Sequence, residues 1–258
     1  MRDADPHART LADVPFVQRL TVAASRVNDW GAFPTNLPFL RELDYRFTSR
    51  VTFFVGENGS GKSTLLEAIA EACDLPVGGG GRSDVGAGHA PQRESDLAPF
   101  VRVGFLKRPR AGWFFRAEFL AHFASLLDER EADPSFGRDP YERYGGAPLH
   151  RRSHGEAFLD VAAGVLDGVV LMDEPEAALS PKRQLSLLAM IYDAVTTSPT
   201  QLIIATHSPI LLTFPGARIV SFDGDTLTEI DRTETAHHEV TAGILADPER
   251  YWRHLRGG

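Results

Sequence analysis

Residues Gly56-Glu57-Asn58-Gly59-Ser60-Gly61-Lys62-Ser63 fit the spacing G-x-x-x-x-G-K-[ST]. Glycines at such positions let successive backbone N–H groups converge on one anion. A helix that opens directly after them turns its positive end toward the same oxygens. Lys62 suits the β- and γ-phosphates of a nucleotide, and Ser63 suits Mg²⁺, with Thr64 beside it. The plainer alternative is a strand–turn–helix corner that happens to carry a lysine. Further on, four apolar residues, Val169 to Met172, run into Asp173-Glu174-Pro175. Two carboxylates at a strand end suit two roles. Asp173 would bind Mg²⁺ through its water shell, and Glu174 would act as general base on an attacking water. Alone, the pair also reads as a solvated strand end. A third apolar stretch leads into Ala205-Thr206-His207-Ser208-Pro209. There His207 could hydrogen-bond a γ-phosphate oxygen and report its presence.

These groups need a scaffold that brings three strand ends to one edge. VTFFV (51–55), GVVLM (168–172) and QLIIAT (201–206) are unbroken apolar runs, as expected for strands buried on both faces. STLLEAIAEAC (63–73), GEAFLDVAAGVL (155–166) and SPKRQLSLLAMIYDAV (180–195) carry helical apolar spacing, with Ser180 and Pro181 suited to open the last. Strands alternating with helices imply an α/β fold around a parallel sheet. RLTVAA (19–24), RELDYRF (41–47) and FVRVGFL (100–106) read as additional strands, and 217–223 with 226–231 as a hairpin about Gly224 and Asp225. The run from Trp113 to Leu127 reads as a helix, and DPERYWRHL as a short closing one. Residues 1–18 read as a mobile lead-in, and the glycine-rich stretch 77–95 as a flexible surface loop.

The chain has 258 residues, enough for one large domain or two small ones with a substantial core. A formal net charge of −8 argues against a broad nucleic-acid footprint. Cys73 is the one cysteine, so no intrachain disulfide can form. No apolar run approaches the ~20 residues of a membrane span, and the charged N-terminus has no apolar core of a secretory signal. The expectation is a cytoplasmic protein without membrane insertion.

GENGSGKST, SHGEAFL, VVLMDEPEAALSP and ATHSP, in that order, resemble the ABC-type ATPase superfamily. Within it the nearest likeness is to small stand-alone bacterial AAA-family ATPases, relatives of the RecF, SMC and OLD group. The resemblance covers about residues 19–223. It implies a single P-loop NTPase domain with a parallel core sheet, N-terminal antiparallel strands and a small helical subdomain at about 108–160. It also implies ATP and Mg²⁺ as ligands, with Gly56, Glu57, Asn58, Gly59, Ser60, Gly61, Lys62, Ser63 and Thr64 forming the Walker A loop. Asp173 and Glu174 close Walker B. Ser153-His154-Gly155-Glu156 stands where the family has its signature sequence. There Ser153 and the Gly155 backbone would contact the γ-phosphate held by a second protomer. Ala178-Leu179-Ser180-Pro181 matches the D-loop at the dimer interface.

Departures from the family pattern are specific. His154 and Glu156 replace a glycine and a glutamine of the signature. The glutamine that normally ends the strand near 101–106 is missing, and Lys107, Arg108 and Arg110 occupy that region. Gln92 lies earlier, in the glycine-rich stretch. Trp30, Phe33 and Tyr45 are the candidates for stacking on adenine, each also suited to a core.

The resemblance leaves three functions open. The first is an ATP-hydrolysing engine working as an ATP-dependent homodimer that sandwiches two nucleotides. The second is the ATPase subunit of a membrane transporter, against which stand the missing glutamine and the form DEPEAALSP. The third is a nucleotide-gated module that binds DNA or a partner protein.

Overall fold

The apolar runs form strands because both of their faces have something to bury against. In the computed structural model, which describes residues 11–82, 94–116 and 119–256, these runs build the centre of a seven-stranded sheet. The strands are β1 (Val17–Val22), β2 (Asp44–Arg46), β3 (Val51–Val55), β4 (Gly80–Gly81) and β5 (Val101–Phe105). They continue with β6 (Gly112–Arg116), β7 (Val169–Asp173), β8 (Gln201–Ala205), β9 (Arg218–Ser221) and β10 (Thr228–Glu229). The large sheet has the order β10-β9-β3-β8-β7-β6-β4. Strands β9, β3, β8, β7 and β6 are parallel, and β10 and β4 close the two edges antiparallel. Alternate residues feed two cores. Phe53, Val170, Met172, Leu202 and Ile204 face one, while Phe54, Val169, Leu171, Ile203 and Ala205 face the other.

Among the described residues the helices are α1 (Lys62–Ala72), α2 (Phe119–Ala132), α3 (His154–Val165), α4 (Pro181–Thr197), α5 (Ala236–Ala246) and α6 (Pro248–Leu255). Helix α1 packs Leu65, Leu66 and Ile69 into the second core; α3 and α4 pack Phe158, Val161, Leu187 and Ile191 into the first. No helix among the described residues is long and apolar enough to cross a membrane.

A separate antiparallel sheet, β2-β1-β5, covers the α1 side. A buried side chain is among the groups that tie it to the large sheet. The Gln201 amide accepts from Val17 N–H at 2.8 Å and donates to Val17 C=O at 2.9 Å, satisfying both backbone groups as a neighbouring strand would.

Three expectations are corrected. Residues 112–116 are not helical but a core strand. Trp113, Phe114 and Phe115 are all buried, alternating between the two cores, and the helical part of the chain begins at Phe119. The stretch expected as a loop from 77 includes a short strand: Gly80 and Gly81 pair with Phe114 and Trp113, where a strand needs only backbone. Residues 83–93, with Gln92, lie outside the described residues. The lead-in is anchored from Leu11 onward, since Leu11, Val14 and Phe16 are buried and β1 begins at Val17; residues 1–10 lie outside the described part.

Candidate active site

Strand β3 ends at Val55 and the backbone turns through Gly56, Gly59 and Gly61, all at positive φ, before α1 begins at Lys62. The loop is gripped from two sides. On one, Asp223 Oδ1 accepts from Glu57 N–H at 2.7 Å. On the other, Gly61 lies so close to the 37–40 segment that an added Cβ would sit 2.8 Å from Phe39 Cε1 and 3.0 Å from Leu37 Cδ2. Glu57, Asn58 and Gly59 form the exposed crest, and Ser60, Ser63 and Thr64 are half-buried.

Lys62 is 4% exposed and folds back over the loop. Its Nζ donates to the carbonyls of Gly56 at 2.7 Å and Glu57 at 2.9 Å. Burial lowers its pKa, while Glu174, Asp223, Asp173 and Glu57 pull it upward. Ser60 Oγ is buried with no hydrogen-bond partner among the described residues. A cation turned onto carbonyls and an orphaned buried hydroxyl beside a helix N-terminus fit a phosphate group.

Asp173, at the end of β7, lies in register with Arg116 on β6 and Ala205 on β8. Its Oδ1 accepts from Ser63 Oγ at 2.8 Å, so the two oxygens suited to Mg²⁺ already meet. Its Oδ2 lies 3.9 Å from Arg116 Nε, and Arg116 Nη1 reaches Glu67 Oε1 on α1 at 2.6 Å. Burial raises the Asp173 pKa, opposed by the Ser63 hydrogen bond and the Arg116 charge. A carboxylate that burial disfavours as an anion fits a divalent cation, which would restore its charge.

Glu174 follows in a left-handed conformation, φ +49°, held by its N–H donating to Ala205 C=O at 2.9 Å. A non-glycine residue there is strained by about 1–3 kcal/mol, and such strain gathers at functional sites. The turn lifts the carboxylate off the strand end into partial exposure. Glu176 then fixes the neighbouring strand end: its carboxylate accepts from Thr206 Oγ1 at 2.8 Å and from His207 N–H at 2.5 Å. His207 Nε2 lies 3.4 Å from Glu174 Oε1, near enough for an ion pair yet without a hydrogen bond. Its Nδ1 lies 2.6 Å from Nε2 of His237, on α5.

Lys62, Ser63, Asp173, Glu174 and His207 thus converge at the carboxyl edge of the parallel strands. Ser153 and Gly155 do not join them. Ser153 caps α3 in a capping box with Glu156, whose carboxylate also pairs with Arg183 at 2.9 Å. Gly155 is wedged under the 178–183 segment, where a Cβ would meet Arg183 Cδ at 2.8 Å and Ala178 O at 3.0 Å. Among the described residues, neither has a hydrogen bond or ion pair to residues 56–64.

Lys107, Arg108 and Arg110 are also elsewhere. They lie in the turn before β6, at the amino end of the parallel strands. Arg108 Nη1 donates to Ala72 O at the far end of α1, roughly 16 Å from the loop at 1.5 Å per residue. The strand that enters the helical segment is β6, and the residue at its carboxyl end is Arg116. Of the aromatic candidates, Tyr45 is buried with its hydroxyl 3.2 Å from Glu229, Trp30 is faced by Arg41, and Phe33 is 61% exposed. Arg116, Asp223, Glu176 and His237 were not singled out by the sequence. Only Glu176, inside the motif DEPEAALSP, had a local signal.

Two family models match. One, an AAA domain, matches residues 27–105. The other, whose description names an AAA domain and the AbiEii toxin of a type IV TA system, matches residues 118–213. No curated protein matches the chain. Among solved structures, one similar chain is that of a metal-chelate-type ABC transporter in an inward-facing conformation. It is 17% identical at a TM-score of 0.48, covering 87% of this chain and 88% of that one. Another is the SMC head domain from Thermotoga maritima, 15% identical at a TM-score of 0.43, covering 83% and 98%. The two family models flank β6 and between them take in the phosphate loop, both carboxylates and His207. The two AAA-domain matches together support a nucleotide-binding ATPase of the P-loop type.

Proposed function

We propose that two copies of this chain hydrolyse ATP head to tail, each completing the other's nucleotide site. The observation that carries this reading is the separation within one chain. The groups that would hold and attack the γ-phosphate meet at one sheet edge. Ser153 and Gly155, which the signature pattern would place on that phosphate, are packed instead against the 178–183 segment.

Each residue has a role that its surroundings support. The loop amides of 59–64 and the α1 N-terminus bind the phosphates, and Lys62 leaves its carbonyl partners for the β- and γ-oxygens. Ser63, with Asp173 behind it, would hold Mg²⁺, which supplies charge neutralisation on the phosphate oxygens. Glu174 accepts the proton of the attacking water from a carboxylate lifted free of the strand. His207 donates from Nε2 to a γ-phosphate oxygen, and Arg116 keeps Asp173 oriented from the neighbouring strand.

The test is the specific rate of Mg-ATP hydrolysis across a protein dilution series. A site shared between copies requires the rate per protomer to fall on dilution, and Ser153→Arg to abolish hydrolysis while nucleotide binding survives. A rate independent of concentration down to nanomolar protein would mean that each chain is self-sufficient and the paired site is wrong.

A further inference from the structure

His207 Nδ1 and His237 Nε2 are 2.6 Å apart, with their rings 4.5 Å between centroids and tilted by 54°. One proton lies between them, and which ring owns it decides what His207 can do. If it sits on His207 Nδ1, neutral His207 turns a bare lone pair at Nε2 toward Glu174 Oε1, 3.4 Å away. A carboxylate only accepts, so that pairing repels, and the same lone pair would meet a phosphate oxygen unfavourably. If the proton sits on His237 Nε2, His207 accepts at Nδ1 and carries its own proton on Nε2, facing the anions.

The first turn of α5 is built to hold His237 there. Thr235, 2% exposed, caps the helix through its side chain, which accepts from His238 N–H. The segment before it is closed by a second capping box, between Asp231 and Glu234. Apart from this turn α5 is loosely seated, with no buried residue of its own. His207 is in direct contact with His237, and the charges of Lys62, Glu57 and Asp223 at the nucleotide edge also act on it, Lys62 lowering its pKa and the two carboxylates raising it. Burial, followed by the neighbouring His207, lowers its pKa. The positive end of α5 acts in the same sense, which favours a neutral His237 ring with one N–H to give.

We propose that His237 is a positioning residue, whose Nε2–H donates to His207 Nδ1 and fixes the tautomer in which His207 Nε2 can donate to a phosphate oxygen. The inference rests on the role given to His207 above. It makes α5 part of the nucleotide site, through a contact that spans 30 residues of sequence.

The test combines ¹⁵N-histidine NMR with steady-state kinetics on three variants of the full chain. In nucleotide-free wild type, His207 is expected with its proton on Nε2 and Nδ1 unprotonated. His237→Phe keeps a ring but removes the donor, so His207 should become a tautomer mixture, with kcat down about tenfold and KM little changed, as for lost ligand-orienting partners. His237→Gln offers an amide N–H near the same place and should restore both readouts. A proton on Nδ1 of wild-type His207, or a Gln variant no better than Phe, would overturn the proposal. So would a Phe variant with wild-type kcat. His207→Ala separates the two claims: unchanged hydrolysis in that variant would refute the role of His207, while the wild-type tautomer still judges the hydrogen bond.

Discussion

Gly61→Ala tests how the phosphate loop is held. Two penalties follow from its surroundings. At φ +97° an L-residue is strained by about 1–2 kcal/mol. The new Cβ would also lie 2.8 Å from Phe39 Cε1 and 3.0 Å from Leu37 Cδ2. Phe39 is fully buried and cannot retreat, because its ring stands edge-on to Phe222 at 5.1 Å, and Phe222 packs on Phe54 at 4.9 Å. Overpacking of this kind costs about 1–3 kcal/mol. Loss of glycine's freedom in the unfolded chain returns about 0.4–1 kcal/mol. The net is destabilisation by about 1–4.5 kcal/mol, or roughly 2–18 °C in Tm for a chain of this size. Gly59→Ala is the control. Its φ of +82° carries the conformational strain, yet no atom lies within 4 Å of the added Cβ. Melting of both variants by circular dichroism, without nucleotide, should rank Gly61→Ala well below Gly59→Ala. Equal melting temperatures would refute the claim that the 37–40 segment braces the loop.

Three further outcomes follow from the same geometry. Glu174→Gln keeps the backbone bond to Ala205 and the side-chain shape, so nucleotide binding should persist while kcat falls about 10²–10⁴-fold, and ordinary turnover would remove Glu174 as the base. Asp173→Asn should melt higher than wild type near neutral pH without metal. The folded-state pKa of Asp173 lies above its unfolded value, so its penalty is full above both values and fades as pH falls toward the unfolded one; a variant that melts lower at pH 7, or a gap that widens in acid, would contradict this. Gln201→Leu strands the N–H and C=O of Val17 in the core, so urea unfolding should show a loss of about 2–5 kcal/mol, and a loss under 1 kcal/mol would mean that other groups tie the small sheet to the large one.

The parts of the site that could be read in the sequence are those whose chemistry and position come from one short segment. A strand buried on both faces shows as an unbroken apolar run, and the polar residue after it must sit at the sheet edge. Gly56–Ser63, Asp173–Glu174 and His207 were legible for that reason. Strand β6 was not. Trp113, Phe114 and Phe115 form too short a run to reveal a period, and the apolar residues of α2 follow at once, so the strand merged with the helix. With β6 hidden, Lys107, Arg108 and Arg110 after β5 look like the entry to the helical segment, whereas β5 belongs to the small antiparallel sheet and Arg116 stands at that entry. Strand β4 had no side chains to signal it, since Gly80 and Gly81 contribute only backbone pairing.

The remaining omissions share a cause. Phe39 braces Gly61, Asp223 holds Glu57, Arg116 faces Asp173 and His237 meets His207 across 22, 166, 57 and 30 positions of sequence. None is an unusual residue in its own neighbourhood. Asp223 and Arg116 reach the candidate site because the strand order β9-β3-β8-β7-β6 sets distant chain segments side by side, and Phe39 and His237 reach it from segments that pack beside that edge. A motif can state which atoms meet the phosphate, because those atoms are local to a strand end and the turn after it. The groups that orient these atoms are set by which strands are neighbours, and a single sequence carries no pattern for that. The strain at Glu174 follows the same division: its left-handed turn is held by Ala205 of β8, so the lift of the proposed base depends on a strand that begins 27 residues later. Variants at the motif residues should therefore remove activity outright, whereas variants at Asp223, Arg116 and His237 should leave nucleotide binding in place and lower its use.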